Sequence, residues 1–268
     1  MSSLSQPHRR GGKWPLLCAW LAIIALIAAS ALMAASGPAF RVEWIALGDA
    51  FSWLRMGAQL AAVAAILGIV TIIVAGLCRR WGAVLTGAVA AVVAVTMIAM
   101  PVQMKQRAQT VPPIHDITTD TNNPPAFTAL ARAREAAPNA VDYPGIDTAR
   151  QQKAAYPMLQ PVVLAVPMAQ VQTATLDLVA ARGWQLAEAN AEPPQAAPNT
   201  VETAATVIEA TATTRWFGFK DDVVIRLTDT SAGVRVDMRS ASRLGKSDLG
   251  ANAERIQDFL EDLQNAVR

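Results

Sequence analysis

Three apolar runs fill most of the first hundred residues, and their succession rules out an ordinary soluble fold for this part of the chain. They extend from about Trp14 to Ser36, from Met56 to Cys78 and from Trp81 to Met100. Each is close to the ~20 residues an α-helix needs to cross the hydrocarbon core of a bilayer. Trp14, Trp44, Trp53 and Trp81 fall near their ends, where amphipathic rings sit at the membrane interface. The first run, behind Arg9, Arg10 and Lys13, also has the outline of a signal peptide, but its apolar core exceeds the usual length, so it reads as a retained span.

Charge orients these spans. Arg9, Arg10 and Lys13 precede the first, and Arg79 and Arg80 separate the second from the third. Arg41 and Arg55 lie between the first two, and Lys105 and Arg107 follow the third. The positive-inside rule then puts the N-terminus and the Arg79–Arg80 turn in the cytoplasm. Three crossings carry everything after about residue 102 to the other side, the periplasm if the membrane is a bacterial inner membrane. No ionisable residue lies inside a span, so a compact anchor is expected rather than a transport pathway. Small residues at Gly57, Ala61 and Ala65, and at Ala83, Gly87 and Ala91, let such helices approach closely.

The remainder has a different composition. Up to Pro101 the chain carries 7 basic and 2 acidic residues; beyond it, 16 basic and 19 acidic. A net charge of −3 on the soluble part argues against nucleic acid as a partner. Cys18 and Cys78 both belong to apolar runs, which leaves no disulfide framework, zinc site or thiol nucleophile in the soluble part. No motif calls for a cofactor or a metal. "IHDITTDTNNPPAF" (114–127) offers oxygens at Asp116, Thr118, Asp120 and Asn122, but it departs from the calcium-loop pattern and reads better as Asx turns.

The expected architecture is an α-helical membrane anchor (1–101), a Pro-rich extended segment (102–165) and an α+β two-layer domain (166–268). In the extended segment only 126–135 resembles a short helix. Val171, Ala174, Leu178 and Val179 share a helical face that Gly183 ends. "WQLAEAN" (184–190) is a short strand, and 203–216, 222–228 and 234–242 alternate as strands. Ile256, Phe259, Leu260, Leu263 and Val267 make a closing helical stripe. The result is a four-stranded antiparallel meander with helices on one face. Ile208, Ala210, Ala212, Val223, Ile225, Leu227, Val234, Val236 and Met238 fall in phase as its buried side. Glu209, Arg215, Asp222, Arg226, Arg235, Asp237 and Arg239 fall on the other, read as a solvated face of cross-strand charge pairs in preference to a basic ligand-binding face.

In a meander, the loops 215–222 and 239–252 share one end of the sheet. Their candidate residues are Trp216, Phe217, Phe219, Lys220, Asp221, Asp222, Arg239, Ser240, Ser242, Arg243, Lys246, Ser247, Asp248 and Asn252. One reading is a satisfied corner, with Arg243 against Asp221 or Asp222 and Asp248 capping the last helix. Another is an anion site of Arg243, Lys246 and amides at the helix N-terminus. Catalysis fits less well. Ser242 and Lys246 lack the S-x-x-K spacing, and histidine is limited to His8 and His115.

"IHDITTDTNNPPAF", "RWFGFKDDVVIRL" (215–227) and "RSASRLGKSDLGANAERI" (239–256) occur in an order that resembles the domain-of-unknown-function family numbered 1499, over about residues 110–268. The resemblance implies a bacterial or plastid protein, often membrane-attached, and carries no catalytic residues with it. The expected role is a membrane-anchored periplasmic binding or assembly domain, held by membrane lipids and recognising an envelope protein or a small anionic ligand. The alternative is an envelope hydrolase or lipid-modifying enzyme using the corner.

Overall fold

A computed structural model describes residues 12–188 and 205–268. The chain divides into two compact units, Met1–Gln106 and Arg107–Arg268. Arg9 and Arg10, the end of the "WQLAEAN" run and the start of the 203–216 run lie outside the described residues.

Three helices make the first unit: α1 (Trp14–Arg41), α2 (Leu47–Leu77) and α3 (Trp81–Thr110). All three are long and apolar enough to cross a membrane. In hydrocarbon a backbone must satisfy its own polar groups, which a helix does. The hydroxyls follow suit: those of Thr71, Thr86 and Thr96 donate to the carbonyls of Leu67, Gly82 and Val92 one turn back. Large side chains such as Ile24, Ile66 and Leu85 point outward, while Ala29, Ala61, Ala64 and Ala94 are buried together. The small residues permit this contact. A Cβ on Gly68 would sit 2.7 Å from the carbonyl oxygen of Gly87.

The second unit is a six-stranded antiparallel sheet with helices, not the four strands expected. In chain order its elements are β1 (Asp116–Thr118), α4 (Ala131–Glu135), α5 (Ile146–Ala155), β2 (Val162–Leu164) and α6 (Met168–Ala181). Then come β3 (Gln185–Leu186), β4 (Ala205–Thr213), β5 (Lys220–Thr230), β6 (Gly233–Ser242) and α7 (Ala251–Ala266). Strands β3 to β6 pair in sequence, and β1 and β2 lie end to end along the outer edge of β6. These two extra strands come from the segment read as extended chain. Each has three residues, too short for an alternation pattern to register, and Pro161 sits immediately before β2, a position a strand tolerates.

One face of the sheet behaves as its phase predicts. Ile208, Ala210, Val223, Ile225, Leu227, Val234, Val236 and Met238 are buried against α6 and α7 through Val171, Val179, Ile256, Phe259 and Leu263. Trp184 stacks on Phe259 at 5.5 Å and seals this layer.

The other face is solvated only in part: Arg215 is exposed and Arg226 pairs with Asp237 across β5 and β6, as expected, but most of the face is covered. Glu209, Asp222, Asp237 and Arg239 are all at most 6% exposed. The chain from Asp120 to Val141 folds across them, and Phe127 and Leu130 pack on Val224 and Ala241. Charges normally stay in water unless they are paired. Glu209, Asp222 and Arg239 acquire partners from the covering segment, and Asp237 pairs with Arg226 and Arg235 of the sheet itself, so this part of the polar phase marks a buried ionic layer.

Candidate functional site

The two loops do meet. Asp221 and Asp222 pair with Ser242 and Ala241 across β5 and β6, and the Arg243 amide donates to the Lys220 carbonyl at 3.0 Å. Successive residues on a strand point to opposite faces, so the corner divides between the two sides of the sheet.

On the covered side Arg243 clasps Asp222 with both ends of its guanidinium, Nε to Oδ2 and Nη2 to Oδ1, each at 2.8 Å. Asp221 faces the opposite way, which decides between the two expected partners. Asp222 is fully buried and also accepts from Arg134 Nη1 at 3.1 Å and Thr211 Oγ1 at 2.8 Å. Arg134, itself wholly buried, further donates to the carbonyls of Ala241 and Ala140, both at 2.9 Å. Burial lowers its pKa from the usual guanidinium value, and the Asp222 charge opposes the change. The Phe127 ring lies 4.7 Å from the guanidinium carbons of both Arg134 and Arg239.

Arg239 forms the neighbouring clasp. Its Nε and Nη2 donate to Asp116 at 2.9 and 2.8 Å, and it adds the carbonyls of Pro125 and Val141. Glu209 accepts the amides of Thr128, Ala129 and Leu130 and the Thr128 hydroxyl, at 2.6–3.0 Å. These amides belong to the turn that leads into α4. Together the clasps fasten the covering segment to the sheet.

On the helix side, Arg255 donates to Asp221 at 2.6 Å, to the Ser240 hydroxyl at 2.9 Å, and to Asn252. Ser240 donates to Asn252 Oδ1 at 2.7 Å, and Asn252 Nδ2 donates to Ser242 Oγ at 3.0 Å and to the His115 carbonyl at 2.9 Å. Neither an amide nor a guanidinium can accept a serine proton at neutral pH. This geometry orders the two serines and does not activate them.

Asp248 serves the start of α7 from two residues before the cap position. Gly250 occupies that position at φ +82°, because the chain turns through left-handed backbone at Leu249 and Gly250. The Asp248 carboxylate accepts the Gly250 and Asn252 amides, both at 2.8 Å, and Ser247 Oγ accepts the Leu249 amide at 3.2 Å. Burial raises the Asp248 pKa, with these amide bonds acting against it.

The outer rim remains accessible. Trp216 is 47% exposed, Lys220 and Lys246 are exposed, and beneath them Phe217 and Phe219 stack at 5.0 Å. Arg134 and Arg255 belong to the constellation although neither was a sequence candidate. Arg134 did carry a signal: Phe127, Leu130 and Arg134 recur at i, i+3 and i+7, placing it on an apolar helical face. For Arg255 no comparable signal exists.

Both tyrosines of the chain are displaced toward neutrality. Burial first, then the Asp116 charge, pushes Tyr143 up to about 12. Burial and Asp248 raise Tyr156. A phenol raised on folding contributes stability that is complete below its unfolded pKa of ~10 and is lost as pH rises through the folded value. Alkaline titration followed by phenolate absorbance should therefore show less ionisation at pH ~10 in the native protein than in guanidinium, where about half is expected. Native ionisation equal to the unfolded control would contradict the partial burial of the two rings.

The chain matches no curated protein and no solved structure. A family model does match, over residues 116–263, from the Asp116 clasp to the last core leucine of α7, more than half of the chain. This chain belongs to the family described as protein of unknown function, DUF1499.

Proposed function

We propose that this protein is a membrane-anchored binding or assembly domain of the bacterial envelope. Its N-terminus is cytoplasmic, its family domain is periplasmic, and the corner of loops 215–222 and 239–252 recognises a protein partner or a small anionic ligand. The observation that carries this reading is the construction of the corner. Arg243 bonds to Asp222 on one face and Arg255 to Asp221 on the other, which holds the corner, while Trp216, Lys220 and Lys246 are exposed. A recognition surface needs an aromatic anchor and polar contacts on a supported scaffold. The orientation is supported by Lys13, Arg79 and Arg80 on one side of the spans.

Two linked measurements test it. Alkaline phosphatase fused after residue 268 should be active, and fused after Arg80 inactive. In the same cells, a photocrosslinker replacing Trp216 or Lys246 should give a discrete adduct, and one replacing Thr173 should not. For a small anion, inorganic phosphate should raise the melting temperature of the wild type more than that of Lys246→Ala. The reverse fusion pattern would overturn the orientation. Absent adducts together with no phosphate shift would remove the corner as a recognition surface.

A further inference from the structure

The excursion of chain between β1 and β2 creates a second site that shares none of the corner residues. Both strands lie on the same edge of β6 and run in the same direction. The chain leaves that edge after Thr119, crosses the sheet, forms α5 and returns at Val162. A cleft lies between the departing and returning segments. The cleft found there has a volume of about 520 Å³, within the range of small-molecule sites. Thr121 and Asn122 line it from the departing segment, Tyr156, Pro157 and Gln160 from the returning one, and Arg235 from β6.

The chemistry of the lining narrows the ligand. Its charges are largely spent on each other. Arg235 donates to Asp237 through Nε and Nη2 at 3.0 Å and to Asp120 at 2.9 Å, and Arg226 stands 3.2 Å from Asp237. Asp120 in turn accepts the Asn122 and Asn123 amides, both at 3.0 Å, in an Asx turn. Gln152, buried at the back, is committed to Thr118, accepting its N–H and donating to its carbonyl. What remains to meet a ligand is mostly neutral: the Asn122 and Gln160 amides, the Thr121 hydroxyl, a half-buried tyrosine ring and two prolines, with Lys153 at the mouth. Paired amide donors and acceptors satisfy vicinal hydroxyls, and an aromatic face accepts the C–H face of a pyranose. We propose that this cleft binds a saccharide, a neutral hydroxyl-rich ligand.

The test is isothermal titration of the full chain in detergent micelles with maltotriose and with chitotriose. At least one should bind, and Tyr156→Ala and Gln160→Ala should each weaken it by about tenfold or more. Thr173→Ala, on α6 and outside the cleft lining, should leave the affinity unchanged. Gln160 is exposed, so its variant reports on the cleft even if Tyr156→Ala fails to fold. Absence of binding by both trisaccharides overturns the proposal. So does binding that neither cleft variant alters. Binding of inorganic phosphate or tri-glutamate in place of the sugars, lost on Lys153→Ala, overturns it in favour of an anion cleft. Loss of the corner's crosslinks and phosphate response would leave this result untouched, so the two readings fail separately.

Discussion

Asp222→Ala should be among the most damaging single changes in the sheet unit, costing roughly 3–5 kcal/mol, the range for removing one partner of a buried ion pair. Asp222 neutralises two guanidiniums at once, and one of them, on Arg134, is completely buried with Asp222 as its hydrogen-bonded acid. Deleting the acid leaves that charge stranded between the sheet and Phe127. The opposite truncation, Arg243→Ala, should cost less, about 1–3 kcal/mol, because Asp222 retains Arg134 and Thr211 and Arg243 is itself 17% exposed. The pair must couple. Arg243→Ala with Asp222→Ala should fall short of additivity by about 0.5–3 kcal/mol, the range for residues in one network. Arg243→Ala with Asp221→Ala should be close to additive, since Asp221 belongs to Arg255 on the other face. Urea denaturation of the four variants measures this. Coupling to Asp221 in place of Asp222 would refute the assignment.

Arg239→Ala should destabilise by a similar ~3–5 kcal/mol. The Asp116 carboxylate, 1% exposed, loses both bonds of its clasp, and the Pro125 and Val141 carbonyls lose their donor. A second variant separates charge from packing. Arg239→Met combined with Asp116→Leu removes both charges and keeps much of the volume, and should recover most of the loss, because the desolvation of both ions disappears. A double variant as unstable as Arg239→Ala would show that the two carbonyl bonds, rather than the unpaired acid, set the cost. Because the clasp ties β1 and the covering segment to β6, Arg239→Ala should also speed amide exchange across residues 120–141 before it affects α6 or α7.

How far the sequence reached follows from the range of each interaction. The spans were legible because membrane crossing is a matter of length and composition, which any window of twenty residues displays. The inner sheet face and the stripe of α7 were legible because period-2 and period-3.6 patterns are local. From strand order alone the two loops were placed at one sheet end, and Arg243 was narrowed to two acids. The choice of Asp222 needed the register between β5 and β6, which fixes the face to which each residue turns.

The charged face was misread for a physical reason. Alternation distinguishes apolar from polar, and polar was equated with solvated. Whether Glu209, Asp222 and Arg239 meet water depends on residues 79 to 123 positions away, among them Leu130, Arg134 and Asp116. No local pattern encodes such a pairing. The short strands β1 and β2 escaped for the same reason, since three residues acquire a strand's identity only from the edge they join. The sequence alone determined three helices long and apolar enough to cross a membrane, a mixed α+β unit beyond them and the meeting of two loops. Only the tertiary structure decided that the Pro-rich segment covers the sheet, that the ion pairs are interior, and that a cleft opens where that segment leaves and returns. Those outcomes depend on long-range burial and on which charges find partners when water is excluded.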